Sequence, residues 1–130
     1  MTDKPRMPYT EAVLSEIIRC GNITPLGLWH TTSKPITING ITIPGNTMIN
    51  VMFKSVLKGE HWENGSNFYP ERFSNEDGTF RRDEHLVPFS MGKRVCLGET
   101  LARTELFLFF TGTVFNQNVY FFQISFSFSL

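Results

Sequence analysis

The chain has 130 residues, 12 basic and 12 acidic side chains, and a formal net charge of zero at neutral pH. This length suits one domain, and a hydrophobic content of 41% with 13 phenylalanines excludes a disordered chain. The balanced charge and the lack of any basic stripe argue against a nucleic-acid partner. Two cysteines do not make a disulfide scaffold, and they fit a reducing, cytosol-facing environment.

No targeting or membrane segment is visible in the sequence. Residues 1–6 lack the apolar core of a signal peptide. The longest apolar run, near residues 106–115, is shorter than the roughly 20 residues that a bilayer-spanning helix needs. We therefore expect no membrane span in this chain.

Residues 8–20 have the periodicity of an amphipathic helix, with Pro8 in the first turn and Gly21 as the expected C-cap. Glu16 and Arg19 lie three residues apart and so share a face of this helix. Taken alone, such a pair is typical of a solvated surface and contributes only about 0.2–0.5 kcal/mol.

The middle of the chain predicts short strands. Residues 36–43 alternate isoleucine and threonine around Asn39-Gly40, which favours a hairpin with a type I′ turn. Residues 47–52 predict a third strand, so we expect the three strands to form one small antiparallel sheet. His30, which follows a Pro/Gly-rich connection, is by itself typical of a surface or core-edge histidine.

Further along, residues 55–62 predict a short helix anchored by Trp62, and residues 99–115 predict a longer one. Arg72 lies in an aromatic-rich turn and by itself is typical of a surface cation. Residues 116–130 end in a Phe/Ser alternation, which favours an edge strand and is prone to aggregation.

The loop that precedes the last helix carries the chemistry. Cys96 lies just before a helix N-terminus and close to two cations, and both features favour the thiolate form. A zinc site needs about four ligands, and neither Cys20 nor any histidine has suitable spacing. A haem needs only one thiolate, and Arg94 suits a haem propionate. The alternative from the residues alone is a buried, inert cysteine.

The pattern Phe89-x-x-Gly92-x-Arg94-x-Cys96-x-Gly98 resembles the cysteine-ligand loop of the cytochrome P-450 superfamily, and above all its animal microsomal family 2. The resemblance covers about residues 6–111 and matches the C-terminal part of such an enzyme. It implies an incomplete α+β fold with the K helix, a small antiparallel sheet, the cysteine-ligand loop and the L helix. Residues 1–115 would be the haem-binding part, and residues 116–130 a divergent tail.

The resemblance also implies site residues. Haem b would be bound with the Cys96 thiolate as axial and metal ligand. The motifs Glu16-x-x-Arg19 and Pro70-Glu71-Arg72-Phe73 are similar to those that supply a buried structural triad in the family. The other cofactor-binding residues implied are Phe89, Gly92, Arg94, Gly98 and His30, the last expected at a propionate although Trp29 stands where the family usually has proline.

In the family, a reductase passes electrons from NADPH and one oxygen atom of O₂ enters a small lipophilic substrate. The resemblance implies a location at the cytosolic face of the endoplasmic reticulum membrane, with the usual N-terminal anchor absent from this chain. The family's distal O₂-binding helix lies upstream of the Glu-x-x-Arg helix, where this sequence begins. We therefore expect the 130 residues to be inactive alone. The alternative is a non-enzymatic remnant or interaction fragment with no stable haem site.

Overall fold

The computed structural model describes residues 4–115, which combine helices with short antiparallel strands. This confirms the predicted α+β class. The predictions for residues 116–130 lie outside the described residues. The described part divides after Leu97 into two compact units. The elements are α1 (Pro8–Gly21), β1 (His30–Thr31), β2 (Ile36–Ile38), β3 (Ile41–Ile43), β4 (Met48–Ile49), α2 (Phe53–Lys58) and α3 (Glu99–Phe115), with 3₁₀ turns at Lys4–Arg6, Pro70–Phe73 and Gly92–Arg94.

Helix α1 agrees with the prediction except at its C-terminal cap. Pro8 lies in the first turn, where its missing N–H costs no hydrogen bond. Gly21 is the last helical residue, and Asn22 is the cap, with φ 36° and ψ 58°. The Asn22 N–H donates to the Ile18 carbonyl at 3.1 Å. Asparagine tolerates this left-handed conformation, so the expected glycine cap was wrong by one residue.

The Asn39-Gly40 hairpin forms as predicted. Strands β2 and β3 pair antiparallel, with Ile36 opposite Ile43 and Ile38 opposite Ile41. Asn39 and Gly40 have φ values of 48° and 80°. Both values are positive, as a type I′ turn requires.

The predicted single three-stranded sheet is wrong. Strand β4 pairs with β1, His30 opposite Ile49, and the hairpin forms a separate two-stranded sheet. The buried residue Thr32 explains this choice. Its N–H donates to the Thr47 carbonyl at 3.0 Å, and its carbonyl accepts from Asn46 N–H at 2.7 Å. The segment before β4 is thereby fixed to the end of β1.

The core of the first unit lies between α1 and the segment that follows α2. Helix α2 ends at Lys58, earlier than predicted, yet Trp62 is buried and its Nε1–H donates to the Val56 carbonyl at 2.9 Å. This indole therefore anchors the end of α2 from outside the helix. The buried apolar cluster consists of Ala12, Trp62 and Phe73, with Phe80 and Leu86 packed against it.

Candidate functional site

The Cys96 loop is closed by its own backbone. The Cys96 N–H donates to the Phe89 carbonyl at 2.9 Å, and the Val95 N–H donates to the Gly92 carbonyl at 3.2 Å. Between them, residues Gly92–Arg94 form a single 3₁₀ turn. The Cys96 side chain is exposed. The loop therefore fixes its backbone internally and leaves the sulfur accessible to a ligand.

Two residues of this loop have left-handed backbones. Gly92 has a φ of 71°, and Ser90 has a φ of 68°. A Cβ added at Gly92 would meet nothing within 4 Å, so the backbone angle rather than the available space calls for glycine there. At Ser90 the same conformation costs roughly 1–2 kcal/mol.

The remaining predicted haem contacts lie on different elements. Arg94 is exposed within the 3₁₀ turn. Gly98 precedes α3, and its carbonyl accepts the Ala102 N–H at 2.9 Å. His30 is exposed on β1, and no hydrogen bond or ion pair among residues 4–115 joins it to the Cys96 loop. The structure thus brings Phe89, Gly92, Arg94 and Cys96 together on one loop.

The structure also brings Glu16, Arg19 and Arg72 into contact. Arg19 holds the Glu16 carboxylate with two parallel hydrogen bonds, from Nε at 2.7 Å and from Nη2 at 2.8 Å. Arg72 Nε donates to the same carboxylate at 3.2 Å, and the Tyr69 N–H donates to it at 2.8 Å. All three charged side chains are buried. One carboxylate therefore balances two guanidinium groups inside the core.

Arg19 extends this network to segments distant in sequence. Its remaining N–H groups donate to the carbonyls of Leu57 at 2.6 Å, Gly65 at 2.7 Å and Asn67 at 3.1 Å. Its guanidinium lies 5.3 Å from the centre of the Trp62 ring. A single side chain of α1 thus binds the end of α2 and the loop that follows it.

The network sets the ionisation of its own members. Burial by itself raises the pKa of Glu16, but hydrogen bonds from Arg19, the Tyr69 N–H and Arg72 outweigh it and lower that pKa. The Glu16 carboxylate in turn raises the pKa of Arg19. Both directions agree that the ion pair stays charged over the neutral range.

A second polar cluster was missed in the sequence. His61, Asp83 and His85 lie together, and one candidate ligand atom from each lies within 4.8 Å of the other two. His61 and Asp83 are 22 residues apart in the sequence, so no short sequence motif contains both residues. The short spacing of Asp83 and His85 was the one signal present in the sequence.

The exposed Cys96 sulfur and Arg94, two residues before it, lie on one self-closed loop. A thiolate provides the axial ligand, and an arginine pairs with a propionate. These are the residue types by which a protein can ligate a haem through sulfur. The model of the family Cytochrome P450 matches residues 1–120, and the chain belongs to that family.

The chain is similar to members of cytochrome P450 subfamily 2D. The chain is 51% identical to cytochrome P450 2D6 of Pan paniscus, 50% identical to that of Homo sapiens, and 49% identical to cytochrome P450 2D4 of Rattus norvegicus. Each match extends over 112 residues, which is 85% of this chain and 22% of the relative. The resemblance to family 2 is therefore confirmed, and the chain spans about a fifth of the length of these relatives.

Within residues 4–115, no helix combines the length and apolar character that crossing a bilayer requires.

Proposed function

We propose that this chain supplies the cysteine-ligand side of the haem site of a monooxygenase, with Cys96 as the axial ligand of haem b. The observation that carries the proposal is the exposed Cys96 sulfur on a loop closed by the Cys96–Phe89 hydrogen bond. Membership of the cytochrome P450 family supports it independently. Bound haem supplies the iron at which such proteins activate O₂, and a thiolate ligand favours cleavage of the O–O bond.

The other loop residues have distinct roles in this proposal. The exposed Arg94 guanidinium pairs with a haem propionate. His30 on β1 provides a further polar contact to a propionate. Gly92 permits the left-handed backbone near Cys96, Gly98 leaves room for a bulky group at the start of α3, and Phe89 provides the carbonyl that positions Cys96. The Glu16, Arg19 and Arg72 network acts as scaffold, since it fixes α1 to the segments after α2.

The activity of the whole protein is part of the same proposal. Electrons come from NADPH through a cytochrome reductase, and one oxygen atom of O₂ enters a small lipophilic substrate at the cytosolic face of the endoplasmic reticulum. Similarity to the 2D relatives supports this. The polypeptide of these 130 residues alone is proposed to be inactive, because it spans 22% of the relatives' length and its Cys96 is open to water.

A second candidate is a non-enzymatic remnant or interaction fragment that binds no haem stably. Several large apolar side chains in the described residues favour it, since they stay exposed. Ile23 is 94% exposed, Leu28 77% and Leu97 102%. Leu28 is followed directly by Trp29, which is 65% exposed, and adjoining exposed apolar side chains favour an interaction surface.

Haem titration of the purified chain separates the two candidates. We expect saturable binding by the wild type, and affinity reduced by more than about tenfold in Cys96→Ser, because the axial ligand is lost. Cys20→Ser is the matched control, since Cys20 lies on α1 and contacts Arg19 rather than the Cys96 loop. Equal affinity in the wild type and in Cys96→Ser would contradict the proposal and favour the remnant.

A further inference from the structure

The cluster of His61, Asp83 and His85 lies outside the haem-ligand loop and has no role in the proposed function. His61 Nε2 lies 3.1 Å from each carboxylate oxygen of Asp83. His85 Nδ1 lies 3.3 Å from Asp83 Oδ1. Two imidazole nitrogens thus flank one carboxylate from two separate segments of the chain.

We propose that His61, Asp83 and His85 form a binding site for a divalent transition-metal ion, with Zn²⁺ as the best fit. Two imidazoles and one carboxylate are a common protein ligand set for zinc, with water in the fourth position. A tetrahedral site with bonds of about 2.1 Å places neighbouring ligand atoms about 3.4 Å apart. The observed separations of 3.1 and 3.3 Å are close to this edge length.

The side chains of the cluster are gathered by contacts with one another and with Trp62. The His61 and His85 rings stack with centroids 3.5 Å apart, and the Trp62 ring meets His61 edge-on at 5.0 Å. The His85 N–H donates to Asp83 Oδ1 at 2.9 Å and orients the carboxylate. One candidate ligand atom from each of the three residues lies within 4.8 Å of the other two. The stacked ring planes are inclined by only 20°, so one ring must turn before both nitrogens can direct their in-plane lone pairs at a single ion.

Charge and access suit a cation. The Asp83 side chain is the carboxylate of the cluster and supplies its negative charge, and both imidazoles lie within 3.3 Å of it. His61 and Asp83 also line a cleft of about 630 Å³, which leaves the site open to water. The arginines of that cleft have other partners: Arg72 binds Glu16, and Arg81 binds the Arg72 carbonyl.

Bound metal would add a coordinate cross-link between two segments that the polar contact of His61 with Asp83 already joins. His61 follows α2, and His85 lies in the segment that leads to Phe89. Next to His85, Leu86 packs on the buried cluster of Ala12, Trp62 and Phe73. A metal at this point therefore stabilises the segment before the Cys96 loop, without taking part in the chemistry of the thiolate.

The test is titration of the full chain with Zn²⁺ by calorimetry, and with Co²⁺ by absorption spectroscopy. We expect saturable binding of one ion, weakened by more than about tenfold in each of His61→Ala and His85→Ala. His30→Ala is the matched control, since His30 is an exposed histidine outside the cluster, and it should leave the affinity unchanged. The Co²⁺ spectrum should show ligand-field bands of a four-coordinate site without thiolate charge transfer.

Three results would overturn this assignment. One is the absence of saturable binding by the wild type. Another is an equal loss of affinity in His30→Ala and His61→Ala. The third is a thiolate charge-transfer band that disappears in Cys96→Ser, which would place the ion on the haem-ligand sulfur instead. None of these results depends on whether the chain binds haem, so the metal site and the haem site are tested separately.

Discussion

Glu16 is the residue on which the core's electrostatics depend. It accepts two hydrogen bonds from Arg19, one from Arg72 and one from the Tyr69 N–H, and its own side chain has no exposure. Removing a carboxylate from such a site leaves two buried cations without a counter-charge, which is far more costly than losing a surface pair. The scaffold role of the network thus rests on one side chain.

Glu16→Gln should lower the free energy of unfolding by about 3–5 kcal/mol, because both buried guanidinium groups lose their counter-charge. The matched control is Glu99→Gln. Glu99 pairs with Arg103 at 2.8 Å on α3, and both side chains are partly exposed, at 30% and 25%. This control should cost no more than about 0.5 kcal/mol. Urea unfolding of the three chains gives the values, and equal losses in the two variants would contradict a buried network.

The same carboxylate predicts a pH dependence. The folded-state pKa of Glu16 is lowered, so its contribution to stability is complete above its unfolded pKa of about 4.3 and is lost as the pH falls through the folded value. The unfolding free energy of the wild type should therefore fall on acidification below about pH 4.3. The decline should be shallower in Arg72→Met, where one of the lowering hydrogen bonds is gone. Parallel pH profiles would exclude Glu16 as the group responsible.

At the scale of elements, the preferences of neighbouring residues predicted the β2–β3 hairpin and helix α1 well. They did not predict the pairing of strands that are distant in the sequence. Asn39 and Gly40 specify a turn through their own backbone preferences, so β2 and β3 follow from neighbouring residues. The pairing of β1 with β4 depends on hydrogen bonds between Thr32 and the segment of Asn46 and Thr47. Nothing in the local pattern of residues 47–52 indicates that partner, which is why the single sheet was predicted wrongly.

Two glycines provide a test of the turn. Gly40→Ala should destabilise the chain by roughly 1–2 kcal/mol, because φ is 80° there and a left-handed backbone disfavours a Cβ. Gly21→Ala should be neutral or stabilising by up to about 1 kcal/mol, because Gly21 is helical and alanine favours a helix. A Cβ meets nothing within 4 Å at either position, so packing does not distinguish them. Thermal unfolding measures both, and equal shifts would contradict the type I′ turn.

At the scale of the whole molecule, the family and the cysteine loop were predictable from sequence, whereas the His61, Asp83 and His85 cluster was not. The loop motif lies within ten consecutive residues, 89–98, and so is visible in the sequence. The Glu16, Arg19 and Arg72 contact was expected only from resemblance, since Arg72 by itself is typical of a surface cation. The histidine cluster needs the fold itself, because α2 and the core bring its two segments together.

The 130-residue chain should not turn over substrate by itself. With haem, NADPH, a cytochrome reductase and a small lipophilic substrate, we expect no product above the level of Cys96→Ser, because the chain spans about a fifth of the length of its relatives and its Cys96 sulfur is exposed. Chromatographic detection of the hydroxylated product is the measurement. Product formed by the wild type and lost in Cys96→Ser would show that the chain is sufficient for catalysis.

The most direct measurement of the central claim is the absorption spectrum of the haem-loaded, reduced chain under carbon monoxide. The account predicts a red-shifted Soret band that is present in the wild type and in Cys20→Ser and is lost in Cys96→Ser, because only a thiolate at position 96 provides that ligand field. The same unshifted, histidine-like or free-haem spectrum in all three chains would contradict it. In that case the loop keeps the family's motif without assembling its site.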